Sequence, residues 1–155
     1  MSATVREIYT TSTPGTPLYP VPEATLEAGK GLVGDRYHKG AGTFSAKLFG
    51  KPDSEITLIE SEEIERFNQS EGVSTSAGEF RRNIVTSGVR LNDLVGRQFT
   101  VGAAVLEGIR LCEPCSHLAK LAGPAILRGM VHRAGLRARI VTGATVRPGD
   151  RIEPR

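Results

Sequence analysis

A chain of 155 residues can bury one hydrophobic core without help from disulfides, so a single domain over residues 1–155 is expected. The net charge of +3 is mild, Trp is absent and aromatics make up 5% of the chain, which leaves few stacking platforms for nucleic-acid bases. No apolar run is long enough for a membrane span, and the polar start "MSATVREIYTTSTPG", broken at Pro14, lacks the form of a signal peptide. The expected location is therefore the cytoplasm, with neither nucleic acid nor membrane as partner. Arg outnumbers Lys 15 to 5, and a planar guanidinium fork suits phosphate or carboxylate.

In chain order, "ATVREIYT" (3–10) alternates and predicts a first strand. The glycine-rich "GKGLVGDRYHKGAG" (29–42) predicts a loop, and "FSAKLFGKPDSE" (44–55) a surface loop. An apolar β-branched run, "SEITLIE" (54–60), predicts a strand that hands over to a helix. Ser61 is placed to cap that helix, with Glu62 and Glu63 favouring its dipole and Ile64 and Phe67 facing inward. Strands follow at "RNIVTSG" (82–88) and "RQFTVGAAVLEGIRL" (97–111), the second interrupted by Gly102. A helix starting near Ser116 carries Leu118 and Leu121, and "GPAILRGMVH" (123–132) predicts another short one. "LRARIVTGATV" (136–146) and "DRIEP" (150–154) close the chain as strands around the tight turn "RPGD" (147–150). Many short strands and few helices predict a mainly β fold, a closed or nearly closed β-barrel with a few short peripheral helices.

Three segments carry candidate chemistry. The loop at residues 29–42 holds five glycines in fourteen residues, a backbone able to turn tightly and approach a ligand, and presents Asp35, Arg36, His38 and Lys39. It is no Walker or dinucleotide fingerprint, and taken alone it reads more simply as a plain solvated hairpin crossing. In "RRN", Arg81 and Arg82 on an extended chain point to opposite faces, so one reaches a pocket and the other solvent, with Arg82 taken as the inward one; a plain polar strand entrance is the alternative.

The third segment is "CEPCSHL", with Cys112 and Cys115 three positions apart. Haem attachment needs a His directly after the second Cys, and Ser116 stands there. A thioredoxin-like pair belongs in a βαβ unit, whereas the neighbouring elements read as antiparallel β. Cys112, Cys115, His117 and His132 offer four zinc ligands, although the spacing is not a usual one. Two buried, inert cysteines at a strand end remain the plainer reading.

Taken together, "GLVGDRYHKG" (31–40), "ITLIE" (56–60), "FRRNIVTSGVRLNDLVGRQFTVG" (80–102), "LCEPCSHL" (111–118) and "GLRARIVTGATVRPGDRI" (135–152) resemble the MOSC domain, the C-terminal domain of molybdenum cofactor sulfurases and also a small stand-alone bacterial protein. The resemblance runs over nearly the whole chain and implies a β-barrel. It implies binding of the pterin-based molybdenum cofactor (molybdopterin), with Cys115 as the single catalytic thiolate and molybdenum or sulfur ligand. Arg36, His38, Arg81, Arg82, Asn83 and Arg137 are implied to grip the pterin and its phosphate. The implied activities are reduction of N-hydroxylated compounds or cofactor sulfur transfer, served by an electron-transfer protein or a cysteine desulfurase-type sulfur donor. Pyridoxal phosphate belongs to a separate sulfurase domain and is not expected within this chain. A stand-alone persulfide carrier without pterin and a zinc-stabilised binding module are the alternatives.

Overall fold

The computed structural model describes residues 2–43, 45 and 50–155. It contains β1 (Thr4–Thr10), β2 (Tyr19–Pro20), β3 (Ala24–Glu27), β4 (Gly31–Leu32), β5 (Ile56–Glu60), α1 (Ser61–Glu71), β6 (Ile84–Ser87), β7 (Gln98–Val101), β8 (Ala104–Leu111), α2 (Ser116–Ala122), α3 (Ala125–Gly129), β9 (Leu136–Thr142), β10 (Ala144–Val146) and β11 (Ile152–Pro154). Eight strands form one sheet in the order β11-β7-β8-β9-β5-β6-β1-β2, and β10-β3-β4 form a second. Among the described strands only β5 and β6 pair in parallel, across a connection that contains α1. No helix among the described residues is long and apolar enough to cross a membrane.

Period-two alternation explains why the central strands read as continuous apolar runs. Ile8, Leu58 and Ile84 turn into one core with Phe99, Leu106 and Leu136 of the large sheet and Leu26, Leu32 and Val146 of the small one. Their neighbours Tyr9, Ile59 and Val85 face a second core made with Ile64 and Phe67 of α1, Leu118 of α2 and Ile126 of α3. A strand covered on both faces has no polar side to show.

The mainly β expectation holds, but no sheet closes into a barrel. Between β1 and the chain leading into β11 there is an isolated bridge, Thr4 to Arg151, with hydrogen bonds from Val5 N to Asp150 O (2.9 Å) and from Ile152 N to Ala3 O (2.9 Å). A closed barrel needs a staggered ladder at that seam. Here β11 is three residues long and pairs with β7 instead.

Other departures are local. The long run at 97–111 is a hairpin, folded back at Gly102, and Gly143 divides β9 from β10. The strands β2, β3 and β4 are too short to show a period, which is why no expectation covered them. Ser61 is already inside α1, whose cap position is Glu60 with no side-chain cap bond, because β5 runs straight into the helix. Of the two leucines that α2 carries, Leu118 is buried and Leu121 exposed. Residues 44 and 46–49 of the expected surface loop lie outside the described residues. Its end forms a 3-10 turn, Pro52–Ser54, and then buries Glu55, whose Oε1 accepts from Ile140 N at 2.7 Å. Burial pushes that carboxyl up from the usual range.

Gly135 is the tightest backbone crossing: a Cβ there would lie 1.9 Å from Leu58 O, at φ +109°. Its carbonyl accepts from Cys112 N at 2.8 Å, so the crossing also sets the height of the cysteine segment. Gly135→Ala should cost about 2–5 kcal/mol in denaturant unfolding, combining overpacking with a left-handed φ. Gly96→Ala, also left-handed but with open space around it, should cost about 1 kcal/mol.

Tyr9 gives a pH signature. Burial, and then its hydrogen bond to Glu7 Oε2 (2.7 Å), push the phenol up to about 12. Below pH 10 the phenol is protonated in both states. Between pH 10 and about 12 only the unfolded chain releases this proton, so stability falls as pH rises through that window. Tyr9→Phe should lose this component, read as a smaller drop in unfolding midpoint between pH 9 and pH 11.5. Absorbance titration of the wild type should show one of its three tyrosines ionising late.

Candidate functional site

The cysteine segment lies between the end of β8 and the start of α2, above the place where β9 enters the sheet. A cleft there is lined by Cys112, Cys115, His117 and Leu118 on that side. Thr57 of β5 and Arg137 of β9, register partners across the ladder, form its floor. Arg81, Arg82 and Asn83 lead into β6, and Arg36, Tyr37 and Thr43 come from the glycine-rich loop. Its free interior is about 40 Å³, enough for a few water-sized groups.

The loop is tied down rather than solvated. Asp35 and Arg36 are 2% and 5% exposed. Asp35 Oδ1 accepts from Thr10 Oγ1 (2.9 Å) and Arg36 Nη1 (3.1 Å), and Oδ2 accepts from Tyr37 N (3.1 Å). The Arg36 guanidinium sits 4.8 Å from the Tyr37 ring centroid, a cation–π contact. Gly42 has no side chain because the Tyr37 ring takes the space; a Cβ would lie within 2.4 Å of it. The plain hairpin crossing is thereby set aside: a buried charge must be paired, and this loop supplies the pair.

Alternation does not govern "RRN". Arg81 caps the 3-10 turn Ala77–Phe80 in a left-handed conformation, φ 63°, and β6 starts only at Ile84. Both arginines are consequently buried, at 9% and 8% exposed, and neither meets solvent as expected. Their bonding differs. Arg82 donates from Nε to Ala134 O (2.9 Å) and from Nη2 to Cys112 O (3.0 Å), clamping the cysteine segment to the chain before β9. Arg81 donates from Nη1 to Thr16 O (2.6 Å), while its buried Nη2 has no partner among the described residues. Burial and the neighbouring Arg36 push the Arg81 guanidinium down. His117 is pushed down by burial first, then by Arg81 and Arg36. Both groups thus feel neighbouring arginines across the cleft.

Asn83 is a structural junction. Its Oδ1 accepts from Thr57 N (3.1 Å), and its Nδ2 donates to Tyr9 O (3.2 Å), joining β1 to β5. Cys112 is 1% exposed and Cys115 partly exposed, and both are free thiols. His38 does not line the cleft; its Nε2 hydrogen-bonds Glu27 Oε2 at 2.8 Å. His132 is held by Glu113, and no group of three or more His, Cys, Asp or Glu among the described residues is placed to hold a metal ion, which leaves the zinc reading without a ligand set. Tyr37, Thr43 and Thr57 were missed from sequence. Tyr37 had a signal, since it follows Arg36 in the glycine-rich loop; the two threonines had none.

Arg82→Ala removes two charge-assisted bonds and strands two carbonyls, and should destabilise the fold by about 2–4 kcal/mol. Arg81→Ala removes a desolvated, half-satisfied cation and should cost under about 1.5 kcal/mol. Denaturant midpoints of the two variants provide the comparison; equal losses would contradict the division of roles.

Comparison with known proteins bears on the fold and the family. The MOSC domain family model matches residues 45–153. No curated protein matches the chain in sequence. Among solved structures, the YuaD protein of Bacillus subtilis superposes with a TM-score of 0.83 at 20% identity, covering 99% of this chain and 96% of that one. YiiM of Geobacillus stearothermophilus gives 0.72 at 18% identity, covering 99% and 75%. YiiM of Escherichia coli gives 0.65 at 20%, covering 100% and 70%. At these identities the likeness is one of fold.

Proposed function

Because the chain belongs to the MOSC domain family, we propose that it binds the molybdenum cofactor, with Cys115 as the molybdenum or sulfur ligand. The carrying observation is a partly exposed thiol, Cys115, in a cleft that Arg36, Arg81, Arg82 and Arg137 also line. That donor set suits the group: a phosphorylated pterin supplies the missing anion, and a thiolate is a soft ligand for molybdenum or for sulfane sulfur. The left-handed Arg81 adds support, since strained backbone is kept where the surroundings demand it.

When bound, the cofactor would supply two-electron chemistry for reducing N-hydroxylated compounds, or accept sulfur. The protein's part is holding. Arg36, Arg81 and Arg137 neutralise the anion, and Arg82 and Asn83 fix the segments that carry the ligand. His38 has no role in this arrangement, engaged as it is with Glu27. The free interior of about 40 Å³ takes only the small end of such a ligand, which leaves its ring system at the mouth. Electrons or sulfur would come from an electron-transfer protein or a cysteine desulfurase-type donor.

The narrow interior favours a second reading, a persulfide carrier on Cys115 that holds sulfur and no pterin. One experiment separates the two. Protein from a host that makes molybdenum cofactor is assayed for molybdenum, pterin and labile sulfur, as wild type, Cys115→Ser and Cys112→Ser. The proposal expects molybdenum and pterin in wild type and Cys112→Ser, and neither in Cys115→Ser, because a hydroxyl is a poor soft-metal ligand. Labile sulfur without molybdenum would support the carrier. Equal loss in both variants, or unfolding by a chelator, would overturn the single-thiolate reading.

A further inference from the structure

Between its two cysteines the cleft segment carries Glu113, and this carboxylate grips His132, far along the chain. Its Oε1 accepts from His132 N (2.7 Å) and its Oε2 from the His132 ring at Nδ1. A carboxylate only accepts, so Nδ1 carries the proton. His132 is held in a left-handed conformation, φ 59°, and its carbonyl accepts from Asn92 Nδ2 at 2.9 Å. Such a backbone is uncommon outside glycine and persists only where its surroundings hold it. Two residues away on either side, Met130 and Ala134 are buried in the core shared with α1, α2 and α3. His132 therefore stands on fixed ground, and Glu113 is tied to it.

Cys115 follows two residues after Glu113. It packs, partly buried, against that same core and also lines the cleft. Its sulfur stands at a boundary, so a small movement of the segment decides how much of it solvent reaches. The holds on Cys112 act on its backbone, through Gly135 O and the Arg82 side chain. On the far side, α2 begins with the bond from Ala119 N to Cys115 O. Between those two anchors, Glu113 supplies the side-chain hold. We infer that Glu113 and His132 are positioning residues for Cys115: their bonds keep the segment down, so the thiol stays seated against the core with partial access to the cleft. The role rests on the proposed function only in taking Cys115 as the working thiol. Both partners lie at the surface, with side chains 40% and 71% exposed, and a surface pair contributes little to global stability. Its loss should show in the thiol and not in the fold.

The test is the rate at which iodoacetamide alkylates each cysteine, read by peptide mass, in full-length protein from a host that makes no molybdenum cofactor. Glu113→Ala and His132→Gly, the latter tolerant of the left-handed backbone, should each speed Cys115 by about threefold or more. Cys112, 1% exposed, should stay unlabelled, and unfolding midpoints should stay near wild type. Glu113→Gln loses the same charge but keeps an acceptor for His132 N, and should restore the wild-type rate. Glu113→Gln as fast as Glu113→Ala would mean that charge alone governs the thiolate, and would overturn the positioning role. So would an unchanged rate in Glu113→Ala, Cys112 labelled in step with Cys115, or a loss of midpoint that tracks the rate. None of these rates depends on bound metal. A cofactor-making host that yields wild type without molybdenum would defeat the proposed function and leave this role standing, and unchanged alkylation rates would do the reverse.

Discussion

Burial of the Asp35 carboxylate is the constraint on which the site depends. A carboxylate 2% exposed is tolerable only when its lone pairs are answered, and the answers come from Thr10 and from Arg36 and Tyr37 of its own loop. Satisfying Asp35 therefore fastens the glycine-rich loop to β1, fixes where the Arg36 guanidinium stands and turns Tyr37 into the cleft. Asn83 works beside it, tying β1 and β5 together at the residue where the chain enters β6. Remove the carboxylate and the loop loses its reason to be near the cysteines.

Asp35 pairs with Arg36, and further arginines line the cleft beside it. Arg81 and His117 are both pushed down by burial first and then by neighbouring cations. Assembling like charges in a half-dry cleft costs folding free energy, so an anion that binds the folded state offsets a strain already present. The left-handed Arg81 belongs to the same account, because the fold holds an awkward residue in place instead of relaxing it.

The arginines divide the work by geometry, not by charge. Arg82 spends its donors on Ala134 and Cys112 carbonyls and so acts on the thiol segment from behind. Arg81 spends Nη1 on Thr16 O and stands in the wall of the cleft. The Gly135 crossing holds the same segment from the other side, through Cys112 N. Two independent grips on Cys112 leave Cys115, three residues on, as the thiol with access to the cleft.

By itself the sequence determined the period-two strands and the central helix with Ile64 and Phe67 inward, because each rests on neighbours along the chain. Cys115, Arg36 and Arg81, singled out through the family resemblance, line one cleft. Tertiary structure alone decided which of those segments meet. Thr57 reaches the cleft because β5 pairs with β9, and His38 leaves it because Glu27 of β3 is closer to hand. The same holds for the two arginines: alternation predicts opposite faces, but the 3-10 turn before them resets the backbone, and the partners that bury both lie far away in sequence. Closure of the sheet is the last case. Strand content is written locally, whereas whether the seam between β1 and β11 becomes a ladder or a single bridge depends on the lengths and registers of every strand between them.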